Sequence, residues 1–126
     1  MKNSNEKEEI LNSLEKICRQ RSEANPADAE AHCNLGVIYQ KRGKTTEAIA
    51  EYQKAEKLNP ALITTKTNMA ILYYDKKQYK EAIECCNKAL LISPKNTQAR
   101  LQKAKSFQAL SLWENATEAV SYTHLR

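Results

Sequence analysis

The chain of 126 residues contains only two glycines, three prolines, one phenylalanine and two histidines. Glycine and proline total five, too few for a loop-rich or disordered chain. With only Gly36 and Gly43, no glycine-rich loop can cradle a phosphate. Neither histidine is spaced with cysteines in a ligand pattern, which argues against zinc. There is no serine elbow, no paired His-Glu metal motif and no Cys-His couple: His32 and Cys33 are neighbours on a helix and do not face each other. Glu81 and Glu84 stand at helix spacing beside Lys80 and Lys88 and read as surface pairs. No catalytic residue, cofactor or metal is therefore expected, and the chain reads as a non-enzyme. No apolar run approaches a membrane span, the longest good one being Ala89–Ile92. The first residues lack the apolar segment of a secretion signal, so a cytoplasmic location is expected. Cys18, Cys33, Cys85 and Cys86 follow no disulfide framework, and free thiols fit a reducing compartment.

The three prolines are placed with a fixed period. Pro26, Pro60 and Pro94 lie 34 residues apart, each after a turn-favouring residue, in Asn25-Pro26, Asn59-Pro60 and Ser93-Pro94. Proline cannot continue a helix but can start one, so a break at constant spacing marks a repeated unit. Shifting the chain by 34 superposes Gly36, Ala70 and Ala104, then Tyr39, Tyr73 and Phe107, then Ala48, Ala82 and Ala116. Between the prolines, apolar residues recur at three- and four-residue steps, which is helix periodicity. Each unit is predicted to hold two helices, over 28–41 with 45–58 and over 62–75 with 79–92. Gly43 marks the stop between the first two.

This pattern resembles the tetratricopeptide repeat. The first unit matches at Leu35, Gly36, Tyr39, Ala48, Tyr52, Ala55 and Pro60. The second matches at Met69, Ala70, Tyr73, Tyr79, Ala82, Ala89 and Pro94, with Cys86 in the bulky slot. The third matches at Ala104, Phe107, Trp113, Ala116 and Val120, and departs at Lys103 and Thr123. The early aromatic of the family is replaced by His32, Lys66 and Arg100. The resemblance implies an all-α fold: a right-handed α-solenoid of antiparallel helix pairs, about three repeats plus an N-terminal capping helix. The expected units are 29–62, 63–96 and a truncated 97–119, preceded by a capping helix or degenerate half repeat over 10–25.

The two ends read differently. Residues 1–9 are polar and charged and are expected to be disordered. Ile10, Leu11, Leu14, Ile17 and Cys18 then form one apolar stripe, placed where the second helix of a preceding repeat would stand. From Thr117 the repeat register decays, and Val120-Ser-Tyr-Thr-His-Leu125 resembles the in-frame translation of a sequencing-library adaptor. Residues 120–126 are read as a non-native tail, with the gene piece stopping inside a helix. Leu101, Leu110, Leu112 and Trp113 would then lack a neighbour and form an exposed apolar patch through which copies could associate.

The formal net charge of +5 is unevenly distributed. Residues 1–62 hold ten basic and ten acidic side chains, residues 63–96 six and three, residues 97–126 four and two. The surplus would steer an acidic partner, while the absence of a basic helix or an aromatic stacking platform disfavours nucleic acid. In the architecture that the resemblance implies, the first helix of each unit lines a concave side. Asn34, Asn68 and Gln102 share one position there, an expected ladder of amides able to donate to and accept from an extended peptide backbone. An asparagine at that position would equally serve to brace the neighbouring repeat. Val37, Ile71 and Lys105 follow one turn on, then Gln40, Tyr74 and Gln108, with Lys41 beyond.

One subgroup of the family grips chaperone C-termini through a carboxylate clamp. The matching positions here are Cys33, Val37, Asn68, Gln98 and Gln102, and only Asn68 keeps the clamp residue. No clamp is expected. The residues thus suggest a non-catalytic scaffold that binds a peptide or partner segment. Alternatives are a recruiting region of a larger enzyme, such as a glycosyltransferase or kinase, and a plain spacer.

Overall fold

The computed structural model describes the backbone of residues 2–125 and the side chains of residues 5–116. The order is α1 (Lys2–Ala24), α2 (Ala29–Lys41), α3 (Thr45–Leu58), α4 (Ile63–Asp75), α5 (Tyr79–Ile92) and α6 (Thr97–Leu125), with no strand among the described residues. Helices α2 and α3 reappear as α4 and α5 with each boundary shifted by 34 residues. The chain divides into two compact units, Met1–Thr65 and Lys66–Arg126.

In the first unit, α2 and α3 form a tight antiparallel pair. Gly36 is the point of closest approach: a Cβ on it would fall 2.5 Å from Cε1 of Tyr52. Tyr52 is fully buried beside Ala48 and Ala55, and its hydroxyl donates to Oε1 of Gln40 at 2.8 Å. His32 adds a second tie, its Nδ1 lying 2.8 Å from Oε2 of Glu51. The entry to α2 is fixed by the Asn25-Pro26 turn: the amide of Ala27 donates to Oδ1 of Asn25, and that of Ala31 to Oδ1 of the N-cap Asp28. The exit uses Gly43 at φ +76°, with the amide of Lys44 reaching back to the carbonyl of Tyr39 at 2.8 Å. This left-handed stop is available to glycine without steric cost.

Helix α1 packs on α2 by a stripe of Leu11, Glu15, Cys18 and Ser22. Much of that join is ionic. Arg42 reaches Oε2 of Glu15 at 3.0 Å and Oε1 of Glu8 at 3.6 Å, and it also donates to Asn12. Arg19 donates to the hydroxyl of Tyr39, and Arg21 holds the N-cap Asp28 at 2.9 Å. The helix starts at Lys2, so the disorder expected over residues 1–9 gives way to helix from residue 2. The contact of Arg42 with Glu8 supplies a reason, since it ties the polar N-terminal part of α1 to the unit. Ile10, Leu14 and Ile17 turn away from α2 and stay exposed.

In the second unit, Met69, Ala70 and Leu72 of α4 and Ala82, Ile83, Cys86 and Ala89 of α5 are buried. The stop after α4 repeats that after α2, with the amide of Gln78 bonded to the carbonyl of Tyr73 at 2.8 Å. Here the left-handed position belongs to Lys77, at φ +64°. Helix α6 starts in register, capped by Oδ1 of Asn96 accepting from Ala99 at 2.9 Å. It then runs on where a turn back was expected, so the third unit contributes one long helix and no helix pair within 97–119. The reason is local. Ser111 stands where Gly43 and Lys77 turn, within a run of helix formers, Ala109-Leu110-Ser111-Leu112. Ala104 and Phe107, expected in a third core, are consequently exposed. The expected non-native tail at 120–126, like the register positions Thr117, Val120 and Thr123, lies outside the residues whose side chains are described.

Candidate peptide-binding site

On α2, Asn34, Val37 and Lys41 follow at steps of three and four and share a face. Asn34 is exposed, Val37 half-buried and Lys41 exposed. Asn34 borders a small cleft of about 120 Å³ with Glu30, Cys33, Leu62 and Thr64, all within the first unit. Gln40 has a different employment, since its side-chain carbonyl accepts from Tyr52.

In the second unit, Asn68, Ile71 and Tyr74 on α4 are half-buried. Tyr74 stands edge-to-face with Tyr79, ring centroids 5.5 Å apart at 61°. On α6, Lys105 and Gln108 are exposed. Gln102 is only 9 % exposed, and its amide nitrogen has no hydrogen-bond partner among the described residues. Ala99, Gln102 and Ser106 form the buried stripe of α6, with Ser106 Oγ donating to the carbonyl of Gln102 at 2.8 Å. The three amides that look equivalent in sequence thus differ in access: Asn34 open, Asn68 intermediate, Gln102 nearly closed.

A second cleft, of about 410 Å³, escaped sequence reasoning. It lies in the second unit between the start of α5 and the middle of α6, with Tyr79, Leu110 and Trp113 as its apolar wall. Lys77 and Lys80 line it opposite Glu81 and Glu114. The signals were the lysine cluster at 76–80 and the lack of any turn residue near 111.

The shifted ionisations belong to structural contacts. Burial pushes the Glu15 carboxyl up, but the hydrogen bond and charge of Arg42, with Arg19, outweigh it and hold the group below its ordinary value. Asp28 is held low first by the Ala31 amide, with Arg21 adding to it against the opposing effect of burial. Burial raises the Cys18 and Cys86 thiols, and burial with Cys33 nearby raises the Tyr52 hydroxyl. Among the described residues no three His, Cys, Asp or Glu side chains converge as metal ligands, and no helix is long and apolar enough to cross a membrane.

The tetratricopeptide repeat model matches residues 29–62 and 64–96. No curated protein sequence matches the chain. Among solved structures, the first such domain of human RPAP3 is similar with a TM-score of 0.79 at 20 % identity, covering 90 % of this chain and 89 % of that one. The first domain of Spaghetti (RPAP3), bound to the HSP90 peptide SRMEEVD, gives 0.77 at 19 % identity over 86 % of each chain. The domain of Arabidopsis OM64 gives 0.75 at 19 % identity over 84 % of this chain and 88 % of that one. At these identities the likeness is one of fold, an all-α solenoid of helix pairs. With more than half of its length matched by two consecutive units, the chain belongs to the tetratricopeptide repeat family.

Proposed function

We propose that this chain is a non-catalytic interaction module that holds an extended peptide against α2, with the first helices of the second unit offering a like face of their own. The observation that carries the reading is Asn34, an exposed amide at the rim of a cleft on α2. An amide donates and accepts at once, which suits a peptide backbone whatever its side chains. Asn68 repeats the position on α4, whereas Gln102 on α6 is largely buried. Val37, Ile71 and Tyr74 offer apolar contact, and Lys41, Lys105 and Gln108 exposed polar ends.

That related folds hold peptides supports this reading: the Spaghetti (RPAP3) domain is bound to SRMEEVD. The chemistry of capture differs here. Cys33 and Val37 stand at two of the clamp positions, and neither can pair with a terminal carboxylate. Screening a peptide array with the wild-type protein and with Asn34→Ala/Asn68→Ala tests the proposal. Loss of capture by the double variant supports it; equal capture by both proteins removes the amides from the mechanism.

A further inference from the structure

Glu30, Asn34, Val37 and Lys41 follow one another on α2 at steps of four, three and four residues. At about 100° and 1.5 Å per residue, Glu30 and Lys41 stand only about 20° apart around the helix and about 16.5 Å apart along it. The face thus reads acid, amide, apolar, base. Both charges are exposed, and among the described residues neither joins an ion pair, nor does Asn34 make a side-chain hydrogen bond. An acid at the start of a helix and a base at its end also complement the helix dipole. Helix α3 does the same with Glu47 and Lys57, but those two lie about 80° apart around it and share no face. On α2 the charges instead flank the exposed amide, and Glu30 borders the cleft of about 120 Å³ with Cys33, Asn34, Leu62 and Thr64. That volume is far below the roughly 300–1,000 Å³ of a small-molecule pocket and suits a single side chain. A lysine fits its chemistry: half-buried Leu62 and buried Cys33 meet the aliphatic stem, and the carboxylate of Glu30 takes the ammonium.

Resting on the reading of α2 as a peptide site, we infer that this face selects a segment of mixed charge. The segment carries a lysine at i for the cleft, an apolar residue at i+2 over Asn34 and Val37, and a carboxylate at i+4 for Lys41. In an extended strand those three side chains share one side and span about 13 Å, and the length of the charged side chains covers the rest. Net attraction does not do the selecting, because residues 1–62 hold ten basic and ten acidic side chains. The peptide SRMEEVD, bound by the Spaghetti (RPAP3) domain, is a poor match despite its arginine: two residues on it has a glutamate, where Val37 asks for apolar contact.

Titration calorimetry at low salt tests the inference with three end-blocked peptides. The mixed one is Gly-Lys-Ser-Val-Ser-Glu-Gly; the other two carry lysine, or glutamate, at both charged places. An exposed ion pair is worth up to about fivefold in affinity, so the wild-type protein is expected to prefer the mixed peptide to either of the others by about that factor. Glu30→Lys is expected to switch the preference to the peptide with two glutamates, and Lys41→Glu to the one with two lysines. The double reversal is expected to prefer the mixed peptide again. Circular dichroism checks that the variants keep their helix content. Equal binding of all three peptides by the wild-type protein overturns the inference, as does a Glu30→Lys variant with the wild-type preference. If that equal binding is lost in Asn34→Ala, the amide reading stands and only the charge selection falls. Binding of none of the three overturns the inference, and the peptide array then decides separately whether the amide reading falls with it.

Discussion

The ring of Tyr52 occupies the space that a side chain on residue 36 would need: Cε1 and Cδ1 lie 2.5 and 2.6 Å from an ideal Cβ there. In the second unit the same two positions hold Ala70 and Cys86, both fully buried. Volume has moved from one helix to the other. Gly36→Ala would gain up to about 1 kcal/mol of helix propensity but overpack a fully buried ring at about 1–3 kcal/mol, for a net loss. Tyr52→Cys alone is expected to cost about 3–5 kcal/mol through the cavity it leaves. The double variant, which copies the second unit, is expected to cost clearly less than the sum, as read by urea unfolding. Simple additivity would show that the two sites do not share one volume.

Lys77 sits at φ +64° in the position that Gly43 fills at φ +76°. A left-handed conformation costs a non-glycine residue roughly 1–2 kcal/mol. Lys77→Gly is therefore expected to stabilise the protein by about 1 kcal/mol, and Gly43→Lys to destabilise it by a similar amount. No atom lies within 4 Å of a Cβ built on Gly43, so the backbone alone carries that second effect. Equal unfolding midpoints for wild type and Lys77→Gly would contradict it.

Acid should loosen α1 first. Glu15 and Asp28 have lowered pKa values in the folded chain, Glu15 because Arg42 outweighs burial and Asp28 chiefly because of the Ala31 amide. A lowered folded value means stability that is present above the ordinary carboxylate pKa and lost as pH falls through the lowered one. From pH 7 down to the ordinary carboxylate range the join should hold, and below it weaken. Amide exchange in Leu11–Ser22, corrected for intrinsic rates, should then rise before that in α3. Unchanged protection of α1 at pH 3 would refute this.

The four cysteine thiols should differ in reactivity. Cys18, Cys33 and Cys86 are buried, and burial raises the thiols of Cys18 and Cys86, whereas Cys85 is half-exposed. Iodoacetamide at neutral pH is expected to label Cys85 first, with the others following only at the rate of opening. Early labelling of Cys86, detected by mass spectrometry, would show that the core of α5 opens readily.

The peptide SRMEEVD, which the Spaghetti (RPAP3) domain binds, is expected not to bind this chain with a Kd tighter than about 1 mM. Isothermal titration would decide it. Micromolar binding would mean that cations outside the clamp positions hold the acidic tail.

Much of the fold could be read from residues alone because two independent signals coincide. The 34-residue proline period sets where pairs begin, and apolar spacing sets which side is buried, so the bounds of α2 to α5 agree with expectation to within a residue. The start of α1 escaped because its charged residues look disordered by composition; the tie from Arg42 to Glu8 spans 34 positions and leaves no local trace. The course of α6 escaped for the opposite reason. Phe107, Trp113 and Ala116 keep the repeat register, but register does not turn a chain without a residue willing to go left-handed at 111. At the candidate site, Asn34 and Gln102 carry equivalent register but unequal exposure, which depends on how each helix sits in its unit.

The joints at Asn25-Pro26, Asn59-Pro60 and Ser93-Pro94 share one geometry, each closed by an amide three residues on: Asp28, Leu62 and Asn96. A gene that gains or loses 34 codons between two such joints therefore splices like to like. Length can change by whole modules with no new linker to invent, as beads are added to or taken from a string.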